Sequence, residues 1–192
     1  MQMKHRLPLI LVWILMGISS TGSTEELQQY TQEARGLVKQ FASQLQSELK
    51  SALKTGGSVE AIKVCNHKAP DIADALEESS HWHVGRTSLK LRSLNDTPDA
   101  WETRVLQEFE RRKANGEAVK DLEHAEVVTR NGVKTFRYMK AIPTKKICLR
   151  CHGKEIHPSI AKQLDIDYPF DQARNYSLGD IRGAFTLSKP LE

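Results

Sequence analysis

Three cysteines and one histidine carry the chemistry of this chain. Cys148, Cys151 and His152 stand in the segment Ile147-Cys148-Leu149-Arg150-Cys151-His152. Cys-x-x-Cys-His is the attachment sequence of c-type haem. Two thiols spaced by two residues can each form a thioether to one haem vinyl group. The histidine that follows is then held beneath the iron as its proximal ligand. One covalent haem c is therefore expected. A thioredoxin-like dithiol would follow a strand and open a helix in a βαβ unit, which the pattern of this chain lacks. A structural zinc site needs four ligands, and no second Cys-x-x-Cys or His-x-x-x-His pair is present.

The third cysteine, Cys65, has three readings. It is a small buried hydrophobe on the face of Ile62, a thiol that pairs with another chain, or the sixth ligand of the iron. Rival sixth ligands are His67, His83, His124, His157 and Met139. His and Met are the commoner choices in c-type cytochromes. His67 lies two residues from Cys65, so on a helix only one of them can face the iron. His157 is too near His152 to reach the opposite face easily, and Met139 sits mid-strand, where it reads equally as core. Arg86 and Arg92 can pair with the haem propionates, since guanidinium forks fit carboxylates; the bland alternative is surface charge. Lys145 and Lys146 read as a solvated edge or as a lure for an acidic redox partner.

These residues need elements to position them. Residues 1–23 read as a signal peptide: a short basic start, the apolar run Leu7–Ile18, then small polar residues. The run is shorter than the roughly 20 residues of a membrane span; left uncleaved, it would be the chain's membrane anchor. Residues 24–192 then form one domain outside the cytoplasm, in the periplasm. The 192-residue chain has 28 basic and 24 acidic residues and 39% hydrophobic content. That suffices for a core without disulfides. The charges are interleaved, which argues against nucleic-acid binding.

Leu27, Tyr30, Ala34, Leu37, Phe41, Leu45 and Leu49 recur at helical spacing and predict a long helix over 25–55, stopped by Gly56-Gly57. Its apolar stripe can pack on its own domain or on a second copy, giving a homodimer. Ser58 can cap a second helix with Val59, Ile62 and Cys65 on one face, and Pro70 opens a further stretch to about Glu78. His81–Leu91 reads as extended. Thr97 and Pro98 predict a helix start, with Trp101, Val105, Leu106 and Phe109 on its buried face. Asn131-Gly132 predicts a hairpin. Pro158 opens a helix to about Leu164, 168–177 reads as loop, and Ile181–Ser188 as the last strand. Helices and antiparallel strands in this order argue α+β.

Over nearly its whole mature length the chain resembles the single-haem c-type cytochromes with a PAS-like fold, first catalogued as a domain of unknown function. The likeness is carried by residues 61–73 (AIKVCNHKAPDIA), by 85–92 (GRTSLKLR) with Asn95, Pro98, Asp99, Trp101 and Glu102, by the Cys148–His152 motif, and by 179–184 (GDIRGA). The family more often has Asn-Pro-x-Asn where this chain reads Ser-Leu-Asn after Arg92. The resemblance implies a PAS-like antiparallel sheet flanked by helices, behind a long N-terminal helix. It also implies that Cys65 is the axial cysteine. A thiolate donates strongly and stabilises ferric iron, so a low potential follows. Two functions are expected: low-potential electron transfer with a separate redox partner, or a haem-based redox or gas sensor signalling through a separate partner. A peroxidase-type enzyme needs an open distal site with acid–base groups; a bound sixth ligand argues against one, so no enzymatic activity is expected.

Overall fold

The computed structural model describes residues 21–191; the expected signal peptide and its apolar run lie outside them, apart from residues 21–23. Among the described residues no helix is long and apolar enough to cross a membrane. In chain order the main elements are α1 (Thr21–Lys63), α2 (Ala69–Ser80), β1 (His83–Thr87), α3 (Ala100–Ala114), β2 (Glu123–Arg130), β3 (Val133–Pro143), α4 (Leu149–His152), α5 (Pro158–Asp167) and β4 (Ile181–Pro190). The four strands form one antiparallel sheet in the order β1-β4-β3-β2. This is the α+β architecture expected: a four-stranded antiparallel sheet flanked by helices behind a long N-terminal helix.

Strand alternation sorts the core onto two faces. Phe136 and Tyr138 of β3 and Phe185 and Leu187 of β4 pack with Ala34, Leu37 and Phe41 of α1 and Ile72 and Leu76 of α2. Met139 and Ala141 of β3 and Ala184 of β4 turn the other way, onto Trp101, Val105, Leu106 and Phe109 of α3. Burying a side chain such as Phe41, 1% exposed, is worth about 1.5–3 kcal/mol. An ion pair adds a polar tie between α1 and the sheet. Arg35 of α1 binds Glu123 of β2, whose carboxylate also accepts from the Tyr138 hydroxyl at 2.7 Å.

The breaks come where backbone chemistry requires them. Gly57 takes φ 69° and ψ −160° inside α1, so the expected stop becomes a kink after which the helix resumes. Val59, in that restarted turn, is exposed, while Ile62 is buried, so the expected shared face holds only in part. The chain then widens into a π-turn, Val64–Lys68, before α2. Pro70 sits in the first turn of α2, where a missing N–H costs nothing. The extended segment after α2 is shorter than expected, since His81 adopts a left-handed cap and pairing ends at Thr87. The start of α3 also differs. Asp99, not Thr97, is the N-cap: its carboxylate accepts from Glu102 N at 2.7 Å while Glu102 accepts from Asp99 N at 2.9 Å. The Thr97 hydroxyl is spent on the Leu94 carbonyl. Asn131 and Gly132 both have positive φ, the geometry that lets β2 and β3 pair.

Candidate functional site

Cys148, Cys151 and His152 come together on a tight turn. A short 3-10 stretch, Lys146–Cys148, runs into α4, which ends at Gly153. A Cβ at Gly153 would meet the Leu149 carbonyl oxygen at 2.5 Å, so the residue after the motif must be the smallest one. The loop 171–176 wraps the turn: Tyr176 N donates to His152 O at 2.9 Å and Asn175 N to Gly153 O at 3.1 Å.

The His152 ring is oriented by this loop. Its Nδ1 lies 2.7 Å from the carbonyl oxygen of Ala173. A carbonyl only accepts, so Nδ1 carries the hydrogen and Nε2 keeps its lone pair. That lone pair faces the Nε of Arg182 at 3.4 Å and Nη1 of Arg92 at 3.5 Å. Burial, then the charges of Arg182 and Arg92, hold the imidazole well below its ordinary pKa, so it is neutral and free to ligate.

His152 lines a cavity of about 290 Å³. Cys65, Arg86, Arg92, Cys148, Cys151 and His152 all line it. Its apolar walls come from Leu45 and Leu49 of α1, Ile62, Ile142 and Phe185. Cys65 reaches it from the π-turn, a helix defect often found at functional sites. All three cysteines are free thiols, and burial raises the pKa of Cys151.

None of the rival sixth ligands lines this cavity. His67 is exposed on the far side of the π-turn, and His83 is exposed beside Glu77. His124 binds Glu126 at 3.2 Å and stacks edge-on to Trp101. His157 caps α5. Met139, 0% exposed, is core on the α3 face of the sheet. Lys145 and Lys146 are both exposed, and Lys145 also lines the cavity.

The two arginines differ. Arg86 lies over the Phe41 ring and makes no ion pair among the described residues. Arg92, 7% exposed, is committed to Asp171 through two contacts of 3.1 Å and to the carbonyls of Cys151 and Ala173 at 2.6 and 3.1 Å. Sequence reasoning missed Arg182, which lines the cavity, touches Ser88 Oγ at 3.2 Å and lies over the Tyr176 ring. No carboxylate pairs directly with it among the described residues. Burial, with Arg92 and Arg86 nearby, works against its charge. Asp96 was also missed; on the same wall, burial raises its carboxyl pKa against the pull of Arg86 and Arg182. Within the sequence, the only signal for Arg182 is its place inside the segment 179–184.

A family profile described as Tll0287-like, Tll0287, matches residues 23–190. The chain belongs to the Tll0287-like family. The match spans all the cavity residues of this Tll0287-like chain. Its fold is also similar to the crystal structure of the cyanobacterial heme-protein Tll0287, with a TM-score of 0.61 and 22% identity over 83% of this chain and 96% of that one. At that identity the likeness speaks for the fold, and it agrees with the PAS-like arrangement. No curated protein matches the chain.

The residues present fit a c-type haem. Cys148, Cys151, Cys65 and an imidazole whose Nε2 carries no hydrogen line one cavity together with apolar side chains. Two guanidiniums without carboxylate partners suit the propionates. By contrast, no cluster of three or more His, Cys, Asp or Glu among the described residues is arranged to hold a metal ion unaided.

Proposed function

We propose that this protein carries one covalent c-type haem and serves as a haem-based redox or gas sensor in the periplasm, signalling through a separate partner. The observation that carries the proposal is the single cavity lined by Cys148, Cys151, His152 and Cys65 together. Membership of a family with a PAS-like fold and a solved relative titled a heme-protein supports it.

When bound, such a haem would supply a one-electron ferric–ferrous couple and a binding site for a diatomic gas. The chain's own groups set how that couple behaves. Cys148 and Cys151 tether the group. His152 presents Nε2 as proximal ligand, oriented through Ala173. Cys65 would offer a thiolate to the iron, a strong donor that would favour the ferric state. Arg86 and Arg182 neutralise the propionates. Leu45, Leu49, Ile62 and Phe185 keep water away. Because Cys65 sits where α1 passes into α2, a change in its ligation would be felt by the long helix. That coupling favours sensing. The second reading, low-potential electron transfer, is supported by Cys65 and His152 lining one cavity, since two protein ligands would close the coordination sphere as suits a carrier. Neither reading includes an enzymatic step.

The test is a pair of ferric and ferrous spectra, with potentiometry, of the wild type, Cys65→Ala and Cys148→Ser/Cys151→Ser, matured in a host that attaches c-type haem. The wild type is expected to keep haem through acid–acetone extraction and the double variant to lose it. Cys65→Ala is expected to shift the ferric Soret band and raise the potential. Rapid carbon monoxide binding to the reduced wild type supports the sensor, and inertness in both states supports the carrier. A wild type without covalent haem overturns both readings.

A further inference from the structure

The geometry points to Arg92 as a positioning residue that tunes the proximal ligand through the carbonyl of Ala173, rather than as a partner of the propionates. The inference rests on the haem reading above and goes beyond it.

Arg92 and Asp171 form a buried pair whose side chains are 6% and 2% exposed. The pairing is bidentate, Nε to Oδ1 and Nη2 to Oδ2, both at 3.1 Å. Such a pair is costly to bury and contributes little net stability by itself, so what else it holds matters. The second hydrogen of Nη2 is shared between Cys151 O at 2.6 Å and Ala173 O at 3.1 Å. Asp171 Oδ1 accepts from Ala173 N at 2.9 Å and Oδ2 from Arg174 at 2.8 Å. One ion pair thus grips both sides of the proximal ligand: the carbonyl of the residue before it and the peptide that fixes its ring.

The shared oxygen is the point of control. Ala173 O faces two donors, His152 Nδ1 and, through a hydrogen shared with Cys151 O, Arg92 Nη2. A guanidinium on a carbonyl oxygen draws electron density from it and makes it a poorer acceptor for the second hydrogen. A weaker acceptor at Nδ1 leaves His152 less imidazolate-like and a weaker donor at Nε2. A weaker proximal donor stabilises the ferric state less. Arg92 therefore raises the reduction potential against the thiolate of Cys65, which lowers it. Nη2 and Nε are spent on these bonds, and Nη1 faces the imidazole itself, so little of the fork is left for a propionate.

The experiment uses the haem-loaded chain. Arg92→Met/Asp171→Asn removes both charges together, so the net Coulomb field at the site is kept while the bond to Ala173 O is lost. Asparagine can still accept from Ala173 N. Covalent haem load and midpoint potential are read on the same samples, beside Arg92→Lys. The expected result for the double variant is wild-type load and a lower midpoint, with the ferric form favoured about tenfold, or about 59 mV for one electron. Arg92→Lys, which keeps a charge but cannot serve Asp171 and both carbonyls, is expected to fall in the same direction. If the double variant does not fold, Arg92→Lys decides. A strut that only holds the loop would instead give mixed coordination spectra and no uniform downward shift. That outcome, or an unchanged or higher midpoint at equal load, overturns the inference. Absence of covalent haem in the wild type overturns the haem reading instead, so the two failures are distinct.

Discussion

His152 points Nδ1 at the Ala173 carbonyl oxygen, 2.7 Å away, and by doing so leaves the lone pair of Nε2 facing Arg182 and Arg92, which line the cavity with it. The tautomer, the ring orientation and the neutrality of a would-be proximal ligand are all settled by one backbone acceptor and by burial. Among the described residues the Cys65 side chain makes no comparable hydrogen bond; it is separated from His67 and Met139 by position alone.

Position predicts a clean division among those candidates. Met139→Leu and His67→Gln are expected to leave the ferric and ferrous spectra unchanged, because neither residue lines the cavity. Met139→Ala is expected to cost about 2–5 kcal/mol in denaturant unfolding, as for any fully buried methionine. A shifted Soret band in His67→Gln would displace Cys65 from the proposal.

Arg182 is expected to matter more to the couple than its neighbour Arg86. Its Nε stands 3.4 Å from His152 Nε2, and no carboxylate pairs with it among the described residues. Arg182→Gln removes a positive charge beside the site and is expected to lower the midpoint potential, since the cation favours the less positive ferrous state. Potentiometry on matched haem loads is the check, and an unchanged midpoint would show that the charge is screened.

Acid should loosen the tie between the N-terminal helix and the sheet. The hydrogen bond from Arg35 holds the Glu123 carboxyl down at about 2, against an ordinary value of 4.5, helped by Tyr138 and Lys140. A depressed carboxylate contributes stability that is fully present above pH 4.5 and is lost as pH falls through about 2. With Arg35 45% exposed, screening reduces the contribution to on the order of 2 kcal/mol. Unfolding of Glu123→Gln is expected to differ from wild type by that amount at neutral pH and to converge with it near pH 2. Equal stability at neutral pH would mean that the helix docks by its apolar face alone.

Two glycines of α1 should respond oppositely to the same substitution. Neither Gly36 nor Gly57 has an atom within 4 Å of an added Cβ, so packing does not decide the result. Gly57 has φ 69°, and Gly57→Ala is expected to destabilise by about 1–2 kcal/mol. Gly36 lies in the regular, exposed part of the helix, and Gly36→Ala is expected to stabilise by about 0.5–1 kcal/mol. Thermal melts of the two variants test this, and the same sign for both would place the kink elsewhere.

What the sequence determined by itself was local. Cys148, Cys151 and His152 are adjacent, so their joint placement needs only one turn. Asn131-Gly132 sets its own hairpin, and the stripe Trp101, Val105, Leu106, Phe109 needs only helical spacing to show a buried face. Even there, the N-cap is Asp99 rather than Thr97, because Glu102 reciprocates its hydrogen bond. Tertiary structure decided the rest. Arg182 meets His152 only because β4 pairs with β1 and β3 and carries that side chain to the cavity. Arg92 reads as a propionate clamp until Asp171 arrives beside it from a distant loop. Cys65 and His67 are near neighbours in the chain, and the π-turn together with the packing of α1 puts one in the cavity and the other in solvent. Residue type and spacing report what a short segment can do; which distant group completes a buried site depends on strand order and on the charges that burial forces together.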